Sequence, residues 1–496
     1  MKILSITHII PYILVAGIIF SSCKKEEDPI VPVVIPQAND VNLFIWNGLH
    51  DYYLWNAEVP GLSNTKYAKV DSLNAFLNNY SDPEALFNSL LYKKDKVDKW
   101  SFIVDDSKQI DDWISGISET AGYSIIPVRI GNTKDLFGLV LYVYKGSPAE
   151  KAGLKRGDVF VKVNDQQITE SNYMTLMYNT LNSKLSFAIL NNGKIVPSDR
   201  TETIMAIEMQ ENPINMDTVF TFNNQKVGYL VYNGFNADFD LELNEVIQKF
   251  KVANIDQMVL DLRYNGGGSV QSSVYLASML YGTDETKLFS KAVYNKGLQE
   301  FLVKEDGEQE LNDYFVTTIA KSGIRPTRAI NTLNLQKIYI IVSDNTASAS
   351  ELLINGLRPY MNVKVVGINT YGKYVGSITL KDENEQGVVN PNHKWAMQPI
   401  IVKYANSQGV SDFVNGLAPD INAEEEIANL LPFGDPNELL LKAVLTDMQG
   451  GVVTSKTLKS AQMGLKKVAD RRDLKPFAND MYVNPEKFKQ LKKAAQ

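Results

Sequence analysis

The chain is poor in the residues on which several kinds of chemistry depend. Its 496 residues hold one cysteine, which excludes an intrachain disulfide. There are three histidines, His8, His50 and His393, and no H-E-x-x-H or comparable ligand cluster, so metal-dependent hydrolysis has little support. Beyond the N-terminus no apolar run is long enough to cross a bilayer, and no repeat or long low-complexity tract occurs. Positive charge is not in excess either. The net charge of −7 argues against nucleic acid as a partner. A glycine turn at Gly266-Gly267-Gly268 follows an apolar strand but lacks G-x-G-x-x-G and a following Lys-Ser/Thr, so a phosphate cradle is not expected there. No cofactor is expected.

What is present is an ordinary globular composition, 44% hydrophobic and 22% charged, with room for roughly three domains. Lys2 and the mostly apolar stretch Ile9 to Phe20 read as a targeting segment ending at Phe20-Ser21-Ser22-Cys23. This resembles a bacterial lipoprotein signal, with Phe20 where leucine usually stands; an ordinary signal peptide is the alternative. The lone cysteine sits at the boundary. The resemblance implies that residues 1–22 are a signal peptide and that Cys23 carries lipid. It also implies a place in the bacterial cell envelope, anchored to the outer membrane on its periplasmic or surface side. Lys24 to Asp28 resembles the acidic export tag of surface lipoproteins in Bacteroidetes-like bacteria, and Pro29 to Gln37 reads as an extended tether, giving 23–40 as a linker.

The informative stretch is Val342 to Lys373. An apolar strand (Lys337 to Val342) ends in a polar turn, a helix opens at Ser348, a second strand (Val363 to Ile368) follows, and a glycine turn delivers Lys373. A serine at a helix N-terminus lies near unpaired N–H groups and the positive helix end, which suit a developing oxyanion. Read locally, Ser348-x-x-Glu351 is also a capping box. The run TASASE followed by TYGK resembles the C-terminal processing (tail-specific) serine peptidases, which use a Ser-Lys dyad. There the lysine follows the serine by 25 residues, as Lys373 follows Ser348 here. The resemblance implies Ser348 as nucleophile and Lys373 as general base.

The rest of the chain fits the same family in order. Residues 41–117 are helical and aromatic-rich, like the small N-terminal domain of some members. Residues 118–213 carry Ser147-Pro148-Ala149-Glu150-Lys151-Ala152-Gly153-Leu154-Lys155-Arg156-Gly157-Asp158, a run similar to PDZ domains of bacterial proteases. Phe137, Gly138, Leu139 and Val140 are expected to form its peptide groove, which takes a C-terminus as an added strand. Residues 214–445 are the expected peptidase core. In the resembled family LDLR-x-N-x-GG supplies an oxyanion-hole amide, carried here to Gly267 or Gly268 with Ala349 as partner, while Asp261 and Arg263 pin the turn. Many members have a glutamine four residues after the lysine; this chain has Ser377, which could orient the dyad in its place. His50 and His393 are read as structural, and the basic segment 446–496 as a helical, solvated tail.

The resulting expectation is an α/β core of the crotonase-like (ββα) type with an inserted, mostly-β PDZ domain and a small helical N-terminal domain. It would act as a serine endopeptidase on unfolded or tail-exposed proteins, with protein or peptide C-termini and the membrane as partners. The alternative is a catalytically inactive, peptide-binding envelope lipoprotein.

Overall fold

The structure, a computed structural model, describes residues 35–191, 194–320, 327–384, 386–453, 463–470 and 481–483. Cys23 and the signal segment lie outside the described residues.

Strands with two buried faces organise the core. Gln225–Tyr232, Gln257–Asp261, Lys337–Val342 and Asn362–Gly367 run parallel in that order, with Ile214–Phe222 antiparallel on one edge and Ile421–Asn422 on the other. Successive side chains point to opposite faces. Leu230, Leu260 and Ile340 therefore meet a cluster shared with helices Asp240–Ala253, Val270–Leu280 and Ala349–Leu357. Tyr229, Val259 and Ile341 meet helix Leu439–Met448 on the other side. This is why the strands read as continuous apolar runs rather than as alternation. The α/β expectation for the core holds.

A second sheet packs Gly268–Ser269, Met481–Tyr482, Val375–Ser377, Ile400–Asn406, Leu288–Tyr294 and Asn312–Tyr314 side by side. The N-terminal helices join the main cluster instead of building their own: Ile45, Leu49 and Tyr53 are buried with the core residues. Helix Asp40–Tyr52, capped by Asn39, lies so close to the core that a Cβ on Gly48 would fall 2.0 Å from Met397 Cε. Strand Phe102–Val104 then pairs antiparallel with Ala396–Gln398.

The inserted unit has its own core, with Ile125, Leu136, Val140, Phe160 and Leu185 at its centre. Its sheet contains Tyr123–Ile130, Leu136–Val143, Val159–Val163, Ser183–Asn191 and Lys194–Ile204, and Ser147 caps the short helix Pro148–Lys151. It leaves and rejoins the core through a two-stranded stem, Ile117–Thr120 against Ile207–Gln210.

One expectation fails. The segment after Met448 is not a helical, solvated tail where it is described. Leu465–Lys467 adds an antiparallel strand to Tyr123–Ile130, and Met481–Tyr482 runs parallel to Gly268–Ser269. Open sheet edges offer unpaired backbone groups, and apolar residues scattered among the lysines, such as Leu465 and Met481, are buried when the strands dock. The basic composition obscured the strand pattern.

Candidate active site

Three adjacent parallel strands carry their C-terminal loops to one edge of the core sheet, where open α/β sheets place their sites. The loop after Gln257–Asp261 holds the glycine turn, that after Lys337–Val342 holds Ser348, and that after Asn362–Gly367 holds Lys373.

Short contacts fasten the first two loops together. Thr346 Oγ1 donates to the Leu262 carbonyl at 2.8 Å, and the Ala347 N–H and Ser350 hydroxyl both donate to the Asn265 carbonyl, at 3.1 and 3.2 Å. Asn265 itself is held by its side-chain amide on the Tyr232 carbonyl at 2.9 Å. Ser348 is fully buried and has φ +67°, a left-handed conformation rare outside glycine. It precedes helix Ala349–Leu357 without capping it: its hydroxyl has no hydrogen-bond partner among the described residues, although Glu351 accepts from its N–H at 2.8 Å. The residues stand in the capping-box arrangement, but the Ser348 hydroxyl makes no hydrogen bond to close its half of the box. The Ala349 N–H likewise finds no acceptor among the described residues.

Lys373 is fully buried, with its ammonium nitrogen 5.7 Å from the centre of the Trp100 ring. Glu351 ties its loop to the serine: the Lys373 N–H donates to the same carboxylate oxygen that takes the Ser348 N–H. Burial pushes the Glu351 carboxyl up to about 7 against the lowering effect of these bonds.

Of the two glycines, Gly267 lies against the serine. A Cβ there would sit 2.9 Å from Ser348 Oγ and 3.0 Å from the Ala349 nitrogen, whereas one on Gly268 would meet the Phe235 carbonyl at 2.3 Å. The Gly267 N–H donates to Asn265 Oδ1 at 2.9 Å, so in this conformation it is engaged. Asp261 and Arg263 do pin the turn: Arg263 is buried and bonds Asp261, Glu425 and Glu438. Ser377 does not reach the lysine. Its hydroxyl donates to the Met481 carbonyl at 2.9 Å and accepts from Gln398 Nε2 at 3.0 Å. His393 is held between Asp382 and the Trp395 N–H, and His50 stacks on Trp46, so both have structural partners.

The peptide groove is not at Phe137, Gly138, Leu139 and Val140. These residues lie inside strand Leu136–Val143, buried and paired with Tyr123–Ile130 on one side and Val159–Val163 on the other, which leaves no free edge for an added strand. Among the described residues, the stretch of edge without a strand partner is Tyr123, Ser124 and Ile125. It faces Met177 and Tyr178 across a cavity of about 560 Å³ that extends to Gly266, Gly267 and Gly268. That edge and the glycine turn thus share one cavity. Sequence alone does not disclose Asn265 and Trp100 as parts of the site, and it shows Glu351 only as a cap. The signal for Asn265 is its place two residues before Gly267.

The molecule these features define is an α/β protein with a PDZ domain inserted ahead of its serine- and lysine-bearing core. Comparison with known proteins agrees. The profile of peptidase family S41 matches residues 226–423, that of the S41 N-terminal domain residues 40–102, and a PDZ profile residues 139–189. The chain is 26% identical over 356 residues to a CtpA-like serine protease of Staphylococcus aureus (strain MRSA252), covering 69% of this chain and 64% of that one. It is 24% identical over 338 residues to the carboxy-terminal processing protease CtpA of Bacillus subtilis (strain 168), covering 67% and 62%. The match thus spans less than two thirds of these relatives' length. A crystal structure of a candidate S41 protease from Bacteroides fragilis NCTC 9343 superposes with a TM-score of 0.63 at 25% identity, over 82% of this chain and 97% of that one. The chain carries a peptidase family S41 domain, together with the S41 N-terminal domain and a PDZ domain.

Proposed function

We propose that the chain is a serine endopeptidase of the C-terminal processing type. The observation that carries the reading is the state of Ser348: a buried hydroxyl without a hydrogen-bond partner among the described residues, in a left-handed backbone, at the N-terminus of helix Ala349–Leu357 and bridged to the Lys373 loop. In the proposed reaction Ser348 Oγ attacks the peptide carbonyl carbon while the neutral Lys373 amine takes its proton. The tetrahedral oxyanion is met by the Ala349 N–H, by an amide of the Gly267–Gly268 turn and by the positive helix end. Because the Gly267 N–H is held by Asn265, that second donor requires a small shift of the turn. Collapse breaks the C–N bond, the lysine ammonium returns its proton to the leaving amine, and water releases the acyl group through the same base.

The substrates proposed are unfolded or tail-exposed proteins. Their C-termini add to the Tyr123–Ile125 edge and run along the shared cavity toward the glycine turn. The proposed location is the bacterial envelope, through a lipid on Cys23; the sequence Phe20-Ser21-Ser22-Cys23 supports it.

The test compares the chain lacking residues 1–23 with Ser348→Ala and Lys373→Ala on an unfolded protein, read by intact mass. Cleavage by the parent alone, with both variants folded, supports the dyad. Equal cleavage by all three overturns it. Absence of cleavage with retained binding of a tail peptide assigns the chain to peptide binding instead.

A further inference from the structure

We infer that Glu351 is the positioning residue of the site: its one carboxylate ties the main chain of the nucleophile to the main chain of the base. The inference rests on the catalytic reading of Ser348 and Lys373.

An ionised carboxylate offers about four lone-pair positions, and the structure fills them with four donors. Oε2 accepts from the Ser348 N–H and from the Lys373 N–H, each at 2.8 Å. Oε1 accepts from the Gly372 N–H at 2.7 Å and from the Thr370 hydroxyl. The Thr370 oxygen in turn accepts from the Leu417 N–H at 2.6 Å, which extends the clamp to the segment that closes over the lysine loop. Glu351 is fully buried.

A helix cap alone does not explain this arrangement. A capping-box glutamate needs only the N-cap amide. Here three of the four bonds go to the loop 370–373, between 19 and 22 residues further along the chain. The remaining bond holds Ser348 in its left-handed backbone while the serine hydroxyl stays unengaged. The nucleophile and the base sit on different strands of the sheet, and Glu351 sets the offset between their two loops. Glutamine could not replace it: an amide has one acceptor oxygen, and in either orientation its NH₂ group would face at least one N–H donor.

The experiment compares the full chain with Glu351→Gln, Glu351→Asp and Thr370→Val, each first shown to unfold cooperatively in urea. Two quantities are read: steady-state cleavage of an unfolded protein, and hydrogen exchange in the segments containing Ser348 and Lys373. In Glu351→Gln, kcat is expected to fall about 10²-fold or more while KM stays nearly unchanged, as for a displaced catalytic group. Exchange should accelerate in both segments together. Glu351→Asp, one methylene shorter, should show the same paired exchange, and Thr370→Val a smaller version of both effects. Should Glu351→Gln not fold, Thr370→Val decides. The inference is overturned by wild-type kcat in Glu351→Gln, or by faster exchange at Ser348 with the Lys373 segment unchanged, which is what a simple cap predicts. If the wild type does not cleave, the proposed function fails, and exchange still decides whether the clamp exists.

Discussion

Gly267 and Ser348 touch so closely that a methyl group on the glycine would lie 2.5 Å from the serine Cβ and 2.9 Å from its oxygen. The glycine also has φ +109°, a conformation side chains rarely adopt. Gly267→Ala should therefore displace the serine without emptying the core. Catalytic efficiency on an unfolded protein should fall by about 10²-fold or more, with the unfolding transition still cooperative. Near-wild-type cleavage would place the oxyanion elsewhere.

Arg156, on the PDZ unit, is joined to the glycine turn by salt. It bonds Glu425 and the Tyr264 hydroxyl, and Glu425 also bonds Arg263. Removing Glu425 leaves two buried guanidinium groups short of a partner, so Glu425→Gln should cost about 3–5 kcal/mol in urea unfolding. Burial pushes the Glu425 carboxyl up, but Arg156 and Arg263 outweigh it and hold it at about 2, below its ordinary 4.5. A depressed carboxylate stabilises the fold above pH 4.5, and that stability is lost as pH falls toward 2. The acid limb of the stability curve should thus be shallower in Glu425→Gln than in wild type.

The arrangement of the core was legible because its signals are local. Apolar runs at Met258 to Leu262 and Lys337 to Val342, each ending in a polar or glycine turn, specify strands whose loops must emerge at one edge. The resemblance carried by the TASASE and TYGK runs then implies Ser348 and Lys373, and the structure puts their loops side by side. What could not be read was pairing across long separations. No local pattern tells which edge of a PDZ sheet is free, so Phe137–Val140 reads as a groove in the sequence although both its sides are paired in the fold. Nor does a basic segment disclose that Leu465 and Met481 will dock on two different sheets. Glu351 is visible as a cap, but its three bonds to the loop 370–373 belong to the fold alone.

The buried clamp should respond to pH with opposite signs in stability and activity. Glu351 titrates near 7 in the folded chain and near 4.5 in the unfolded one, because burial disfavours its charge. The folded state therefore binds the proton more tightly between these values. Its contribution to stability is fully present below pH 4.5 and is lost as pH rises through 7, by about 3 kcal/mol in all. The ionised form is the one that accepts four hydrogen bonds, so cleavage should rise over the same interval. Lys373 is the ionisable group on the facing loop. Urea unfolding at about pH 4 and about pH 8, on either side of that interval, checks the first statement. The loss of stability between them should be larger in wild type than in Glu351→Gln. Equal losses would show that Glu351 ionises normally.

Ser377 stands four residues after Lys373, and its hydroxyl is spent on Gln398 and on the Met481 carbonyl. Its bonds hold the C-terminal strand to the core rather than the lysine to the serine. Ser377→Ala should accordingly keep kcat within about tenfold of wild type, since no group at the reacting atoms is displaced. Deleting a buried hydrogen bond of this kind costs about 1 kcal/mol, and it falls on the contact with Met481–Val483. Hydrogen exchange there should accelerate in the variant while the segment around Ser348 stays protected. A fall in kcat of about 10²-fold with the strand still protected would restore Ser377 to the role of orienting the dyad.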